Sequence, residues 1–220
     1  MISKLSKQQQ RDQRVWNNCA ESYENAVVNC HPDIRAYEDF EEELLDRVLH
    51  HLIGQRQCSV SLYDIGCGSG RLHLRYGMKT TVIEELAPSD FELIREYRSI
   101  HKDYCFDRIL SDNITSVGGI DFSSQMIELA NRKLVSAGLR SRIDDWLSLE
   151  IGSAYDLTSL PPGPVPVVVN LCNSIGVMQG TEGAVKLFKT MRRMVESAGG
   201  IAVISAYRKE AIEEIGRAHV

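Results

Sequence analysis

Residues 62–72 read LYDIGCGSGRL, in which a short apolar run ends in Asp64 and glycines follow at positions 66, 68 and 70. Glycine adopts positive φ readily and lets the backbone approach a ligand closely, at a cost in chain entropy. The apolar run is typical of a buried strand, and the glycines are typical of a tight turn after it. The segment therefore predicts a strand followed by a turn that binds a ligand.

Strand-like and helical segments alternate along the rest of the chain. VPVVVNLC at 165–172 and IAVISAY at 201–207 are strand-like, whereas 124–138 and 183–200 have helical periodicity and end in glycine. This order predicts an α/β fold with a doubly wound, mainly parallel sheet, which binds ligands beyond the carboxyl ends of its strands. Upstream, 37–53 is also helical, and we expect its buried face to comprise Phe40, Leu44, Leu45, Val48, Leu49 and Leu52.

The composition narrows the classes of partner. The 220 residues carry a net charge of -5 and contain no run of Lys or Arg, which disfavours nucleic acid as a partner. The N-terminus is polar and no apolar stretch approaches about 20 residues, so we expect neither a secretory signal nor a membrane span. The cysteines lack C-x-x-C spacing and the histidines lack metal-ligand spacing, which indicates reduced thiols, a cytoplasmic location and no metal site.

Two common phosphate-binding motifs do not match the glycine turn. A dinucleotide-binding G-x-G-x-x-G motif requires a third glycine at position 71, where the chain has Arg71. A P-loop requires G-K-[ST], which the turn also lacks. The pattern is instead D-x-G-x-G-x-G, beginning at Asp64.

The segments YDIGCGSGRL and GIDFSSQMIELANRKL resemble the first two motifs of class I S-adenosylmethionine-dependent methyltransferases. The resemblance implies a Rossmann-like fold, S-adenosylmethionine as cofactor, Asp64 near its methionine part and Asp121 on its ribose hydroxyls. A rival for the ribose acid is Glu84, whose spacing from Asp64 is nearer to the usual one, but the residues around it do not match the motif. The cofactor-binding residues so implied are Asp64, Gly66, Cys67, Gly68, Gly70, Asp121, Phe122, Ser153, Ala154 and Asn170.

One position departs from the family pattern. Where the family usually has an acid against the adenine amino group, the chain has Ser153 in LEIGSAYDL, with Asp156 three residues later. A serine hydroxyl can still accept a hydrogen bond from that amino group, and the Ala154 amide can meet the ring. Asp156 is interpreted equally well as a ligand or as a surface turn residue.

The segment after the fourth strand, NLCNSIGVM, resembles small-molecule N-methyltransferases and lacks the N-P-P-Y signature of enzymes that methylate bases. The resemblance implies a small-molecule acceptor, methylated at nitrogen or oxygen. No residue is assigned a catalytic role, because methyl transfer from a sulfonium depends mainly on alignment. The residues expected to bind the acceptor are Tyr23, Tyr37, Asn173 and Tyr207.

The predicted organisation has three parts: an N-terminal cap at 1–36, the methyltransferase domain at 37–214 with an insertion at about 76–112, and a tail at 215–220. The tail, IGRAHV, matches the translation of a sequencing adapter, so we interpret it as non-native. The family sheet continues after its fifth strand, and we therefore expect this chain to lack the last strands. Alternative hypotheses are a truncated cofactor-binding protein without activity and a protein side-chain methyltransferase. No feature of the sequence indicates an oligomeric state.

Overall fold

The computed structural model describes residues 7–25, 32–82, 86–157, 164–172, 174 and 180–206. These residues form a sheet of five strands, all parallel, in the order β3-β2-β1-β4-β5. The parallel α/β sheet predicted from the alternating segments is therefore confirmed. The strands are β1 Val60–Ile65, β2 Ile114–Asp121, β3 Leu147–Ile151, β4 Val165–Asn170 and β5 Ile201–Ile204.

Helices cover both faces of the sheet, because alternate residues of each strand point to opposite sides. In β4, Val167 and Val169 pack in one core with helices α2 (Pro32–Arg56) and α3 (Arg71–Thr80), whereas Val168 packs in a second core with α7 (Gly180–Glu196). Among the described residues, no helix is long and apolar enough to cross a lipid bilayer. The helices are α1 Lys7–Tyr23, α2 Pro32–Arg56, α3 Arg71–Thr80, α4 Pro88–Ile100, α5 Arg108–Asn113, α6 Ser124–Ser136 and α7 Gly180–Glu196.

The buried face of α2 differs from the prediction in its N-terminal half. Leu45, Leu49 and Leu52 are buried as expected, but Phe40 and Leu44 are 55% and 40% exposed. Besides Ile34, the buried positions in this half of the helix are occupied by the acids Glu38, Glu41 and Glu42. The prediction from hydrophobic periodicity is wrong at Phe40 and Leu44, because a charged face of α2 packs on a charged face of α3.

The two charged faces match at a spacing of about one helical turn. Arg71 and Arg75 of α3 lie 2.7 Å from Glu41 and 2.6 Å from Glu42 of α2, respectively. Arg75 also contacts Asp46 at 2.7 Å. One turn further, Lys79 lies 3.1 Å from Asp46. Because residues four apart lie on one side of a helix, the acidic face of α2 and the basic face of α3 can pair along their length.

The segment between α3 and β2 folds as part of the domain. Helix α3 continues to Thr80, five residues into the predicted insertion, and α4, a 3-10 helix at Lys102–Tyr104 and α5 follow. Ile94 is fully buried and packs near Gly138, whereas Ile100 is exposed. The division into cap, domain and insertion remains a prediction, and the tail at 215–220 lies outside the described residues.

Candidate functional site

The glycine turn leaves the carboxyl end of β1 with three residues in the left-handed region. Gly66, Gly68 and Gly70 have φ of 77°, 51° and 77°. The amides of Gly66 and Cys67 both donate to the carbonyl of Ile120, at 2.8 and 3.1 Å, which ties the turn to β2. The turn is therefore held by the neighbouring strand, with a backbone conformation that favours glycine.

Two of these glycines have different steric surroundings. A Cβ added to Gly70 would lie 2.8 Å from Cβ of Ala130, so Gly70 allows α6 to pack against the turn. A Cβ added to Gly68 would meet nothing within 4 Å. Gly70 thus serves packing, and the bare backbone at Gly68 faces open space.

Asp121 ends β2 directly beside this turn. Its Oδ2 accepts a hydrogen bond from the Gly68 amide at 3.0 Å, and its Oδ1 accepts one from the Ser123 amide at 2.8 Å. Burial raises the pKa of this carboxyl group, and the hydrogen bonds from Ser123 and Gly68 oppose the shift. The carboxylate is consequently fixed in orientation at the wall of a cavity. The rival acid, Glu84, lies outside the described residues.

Asp64 lies on β1 close to the turn and faces the same cavity. Burial raises its pKa to about 7, Arg71 opposes the shift, and Asp121 and Glu41 add to it. A carboxyl group with this pKa changes charge near neutral pH and is sensitive to a bound cation.

The cavity beyond the carboxyl ends of the strands has a volume of about 840 Å³, in the range of small-molecule sites. Most of the residues predicted to bind ligands meet there. Those that line it are Asp64, Gly66, Cys67, Gly68, Asp121, Phe122, Ser153, Ala154 and Tyr23. Gly70, Asn170 and Tyr37 are not among its lining residues, and Asn173 and Tyr207 lie outside the described residues.

The predicted residues that do not line the cavity support those that do. Asn170 is buried at the end of β4, where its Nδ2 donates to the carbonyl of Ile65 at 2.7 Å and so fixes the end of β1. Its Oδ1 is buried and has no hydrogen-bond partner among the described residues. Tyr37 lies on α2 beside Ser205 and Glu41, and burial raises the pKa of its hydroxyl group.

Ser153 caps the 3-10 helix Ala154–Asp156 at the end of β3. Its hydroxyl accepts a hydrogen bond from the Tyr155 amide at 3.2 Å, and the side chain is buried in the cavity wall. Asp156 is exposed and does not line the cavity. This arrangement leaves the serine, and not the acid, facing a ligand.

Helix α1 covers the cavity from the side of β2 and α6. Gln13 Nε2 donates to the carbonyl of Phe122 at 2.6 Å, and the Ser123 hydroxyl donates to Asn17 Oδ1 at 2.7 Å. Just after α1, Glu24 pairs with Lys133 of α6 at 2.6 Å. The N-terminal segment therefore forms one wall of the site through specific contacts.

Several cavity residues were missed by the sequence reasoning. Arg71 is partly buried and lines the cavity. Cys172 follows β4 with φ of 53°, and its amide donates to Glu41 Oε1 at 2.9 Å. Tyr97, His101 and Tyr104 come from the predicted insertion. The four-residue spacing of Arg71 and Arg75 against acids on α2 was a usable signal. The aromatic residues of the insertion gave no signal in the sequence, beyond helical spacing, that they line a cavity.

The lining of the cavity is acidic. Among the described lining residues, seven are Asp or Glu and three are Arg or Lys. In the part of the chain that the structure describes, no group of three or more His, Cys, Asp or Glu is arranged to hold a metal ion. The charge balance favours a cationic ligand over an anionic one.

Neither a family model nor a curated protein matches the chain, but solved structures do. Magnesium protoporphyrin IX methyltransferase (ChlM) from Synechocystis PCC 6803 with bound SAM is 12% identical, with a TM-score of 0.53 over 97% of this chain and 86% of that one. The PH0226 protein from Pyrococcus horikoshii OT3 is 15% identical, with a TM-score of 0.50 over 88% of this chain and 65% of that one. The chain has the Rossmann-like α/β fold of class I methyltransferases.

Proposed function

We propose that this chain is an S-adenosylmethionine-dependent methyltransferase that acts on a small molecule, at nitrogen or oxygen. The observation that carries the proposal is the pairing of the Asp121 carboxylate with the bare Gly68 backbone on one wall of a cavity. A carboxylate with two oxygens can accept hydrogen bonds from two adjacent hydroxyl groups, such as those of a ribose. The side-chain-free turn next to it leaves room for the attached nucleoside.

The residues present fit this cofactor in shape and in charge. The space in front of Gly68 is open, and a side chain there would enter it. Asp64 and Asp121 are buried carboxyl groups within an acidic lining, which suits a ligand with a sulfonium and an ammonium group. Ser153 and Ala154 offer a hydroxyl group and an amide at the end of β3, where the adenine ring would lie.

When bound, the cofactor supplies a methyl group on a positively charged sulfur. The chain contributes binding, alignment and exclusion of water. Asp121 orients the nucleoside part, Asp64 pairs with the amino acid part, and α1 shields the site through Gln13 and Asn17. Holding two reactants in line removes much of the entropic barrier, so the reaction needs little further help from acids or bases.

Calorimetric titration with S-adenosylhomocysteine tests the proposal. The unmodified chain should bind it, and Asp121→Asn, which keeps one acceptor oxygen for Ser123, should bind it about 10- to 100-fold more weakly, since hydrogen bonds to a charged group contribute about 1.5–3 kcal/mol. Asp145→Ala, at an exposed acid outside the cavity, serves as control. Absence of binding to the unmodified chain, or equal affinity of the Asn variant, would exclude this assignment.

A screen for methyl transfer to small amines, phenols and carboxylates then tests the reaction itself. Formation of a methylated product with any of these classes would support the enzyme. Binding of S-adenosylhomocysteine without transfer to any of them would favour a cofactor-binding protein without activity.

A further inference from the structure

The cavity is also lined by aromatic residues that are not among the proposed cofactor residues. Tyr97 of α4, His101 directly after that helix and Tyr104 of the following 3-10 helix line the cavity, and we call these three residues the aromatic wall. Arg35 and Glu38 of α2 line the same cavity. None of the predicted cofactor residues belongs to this group.

The rings of the aromatic wall are nearly parallel. The centroids of Tyr97 and His101 are 4.3 Å apart with an interplanar angle of 28°, and those of Tyr97 and Tyr104 are 5.8 Å apart at 13°. His101 and Tyr104 are 5.9 Å apart at 29°. A group of nearly parallel rings in the lining of a cavity offers an aromatic surface to a planar ligand.

The aromatic wall is held in place by contacts on its far side. The Arg75 guanidinium lies 5.4 Å from the centroid of the Tyr104 ring, and the Tyr104 amide donates to the carbonyl of His101 at 3.1 Å. Arg98 donates to the carbonyls of Met78 and, at 2.8 Å, Thr81, which ties α4 to the end of α3. A ligand therefore meets a preformed surface, which lowers the entropic cost of binding.

Glu38 contacts the end of β4, and Arg35, one turn earlier on α2, interacts with the aromatic wall. Glu38 Oε1 accepts a weak hydrogen bond from the Cys172 thiol at 3.4 Å, just beyond the carboxyl end of that strand. One helical turn earlier, Arg35 is close enough to His101 to lower its pKa, after the larger effect of burial. Burial also raises the pKa of the Glu38 carboxyl group, and Arg71 opposes that shift.

We propose that the aromatic wall and Glu38 form the acceptor subsite, and that the acceptor is an arylalkylamine, called an aromatic amine below, whose ring stacks on the wall and whose alkylamine nitrogen contacts Glu38. This inference rests on the proposed function. The acidic lining disfavours a carboxylate acceptor, and an acid next to aromatic faces is suited to an amine. The nitrogen lone pair forms the new N–C bond as the S–C bond breaks, sulfur keeps that electron pair, and Glu38 accepts the proton that the nitrogen loses.

Calorimetry with S-adenosylhomocysteine already bound tests the subsite separately from the cofactor. The test compounds are tryptamine and 2-phenylethylamine, with n-hexylamine as an amine without a ring and indole-3-acetate as a ring without an amine. The two aromatic amines should bind, and the two comparison compounds should bind at least about tenfold more weakly. Comparable affinity for n-hexylamine, or no binding of either aromatic amine to the cofactor-loaded chain, would overturn the inference.

Variants then assign the contacts. Tyr97→Leu and His101→Ala should each weaken binding of the aromatic amines about 3- to 10-fold through lost stacking. Glu38→Gln should weaken binding of the amines without weakening that of indole-3-acetate. Glu96→Ala, at an exposed position of α4, should change neither. Unchanged amine affinity in both ring variants would refute the stacking role.

Each variant is also titrated with S-adenosylhomocysteine alone. Retained affinity shows that the variant is folded and that any loss of amine binding is local. If the unmodified chain fails to bind S-adenosylhomocysteine, the proposed function fails and the acceptor subsite fails with it. If that binding is intact and only the amines fail, the acceptor inference alone is wrong.

Discussion

Replacing Gly70 by alanine should destabilise the fold through two separate effects. With φ at 77°, an alanine would adopt the left-handed region, at a cost of about 1–2 kcal/mol. Its Cβ would also lie 2.8 Å from Cβ of Ala130, and such overpacking costs about 1–3 kcal/mol. Because Ala130 belongs to α6 and is itself fully buried, the contact cannot be relieved by a side-chain rotation. We expect a total loss of about 2–5 kcal/mol in the free energy of unfolding.

Gly68→Ala is the matched control for this effect. The backbone cost is similar, with φ at 51°, but the added Cβ meets nothing within 4 Å. The loss of stability should therefore be only about 1–2 kcal/mol. The methyl group would instead enter the space assigned to the nucleoside, so the affinity for S-adenosylhomocysteine should fall by about tenfold or more.

Urea denaturation measures the two stability losses, and calorimetry measures the affinity of the Gly68 variant. The reduced entropy of the unfolded chain is the same for both Gly→Ala changes and cancels in the comparison. Equal destabilisation by the two variants would contradict the packing argument at Gly70. An affinity within twofold of the unmodified chain for Gly68→Ala would refute the proposed position of the nucleoside.

Two further predictions concern buried charges. Arg75→Met leaves the carboxyl group of Glu42, 2.6 Å away, without this partner and should lower the free energy of unfolding, measured by urea denaturation, by about 3–5 kcal/mol. Arg108→Met, at an exposed ion pair, should lower it by less than about 1 kcal/mol. Similar losses in the two variants would contradict the argument from burial. Burial raises the pKa of Asp64 from 3.8 to about 7, so the native state retains its proton and the free energy of unfolding should fall as pH rises between these values. Asp64→Asn should reduce that decline between pH 4 and pH 7, and an unchanged pH dependence would count against the buried carboxyl group.

The strands and the helix α6 could be predicted because their signals are local. The apolar run in β4 consists of Val167, Val168 and Val169. β-Branched residues favour strands, and a continuous apolar run is typical of a strand that is buried on both faces of a parallel sheet. Ser123 caps the N-terminus of α6, and Gly138 follows the end of the helix with φ of 82°. The helical periodicity and the glycine after it indicated this helix. Each of these preferences acts within a few residues, so the sequence contains it in readable form.

The charged face of α2 could not be predicted in the same way. Periodicity placed Phe40 and Leu44 in the core, and both are exposed, because Glu41 and Glu42 pair with basic residues about 30 positions further along the chain. A buried acid is stable only where another element supplies its partner. That partner is chosen by the packing of two helices, which no local pattern specifies.

Local sequence patterns specify the parallel α/β fold, the glycine turn after β1 and the acid that ends β2. Only the folded structure shows that Gly70 serves packing while Gly68 faces the cavity, and that Tyr97, His101 and Tyr104 line the same cavity as Asp64 and Asp121. The physical reason is the range of the interactions. Backbone conformation and hydrophobic periodicity depend on neighbouring residues, whereas a cavity is formed by side chains from elements that meet only when the chain has folded.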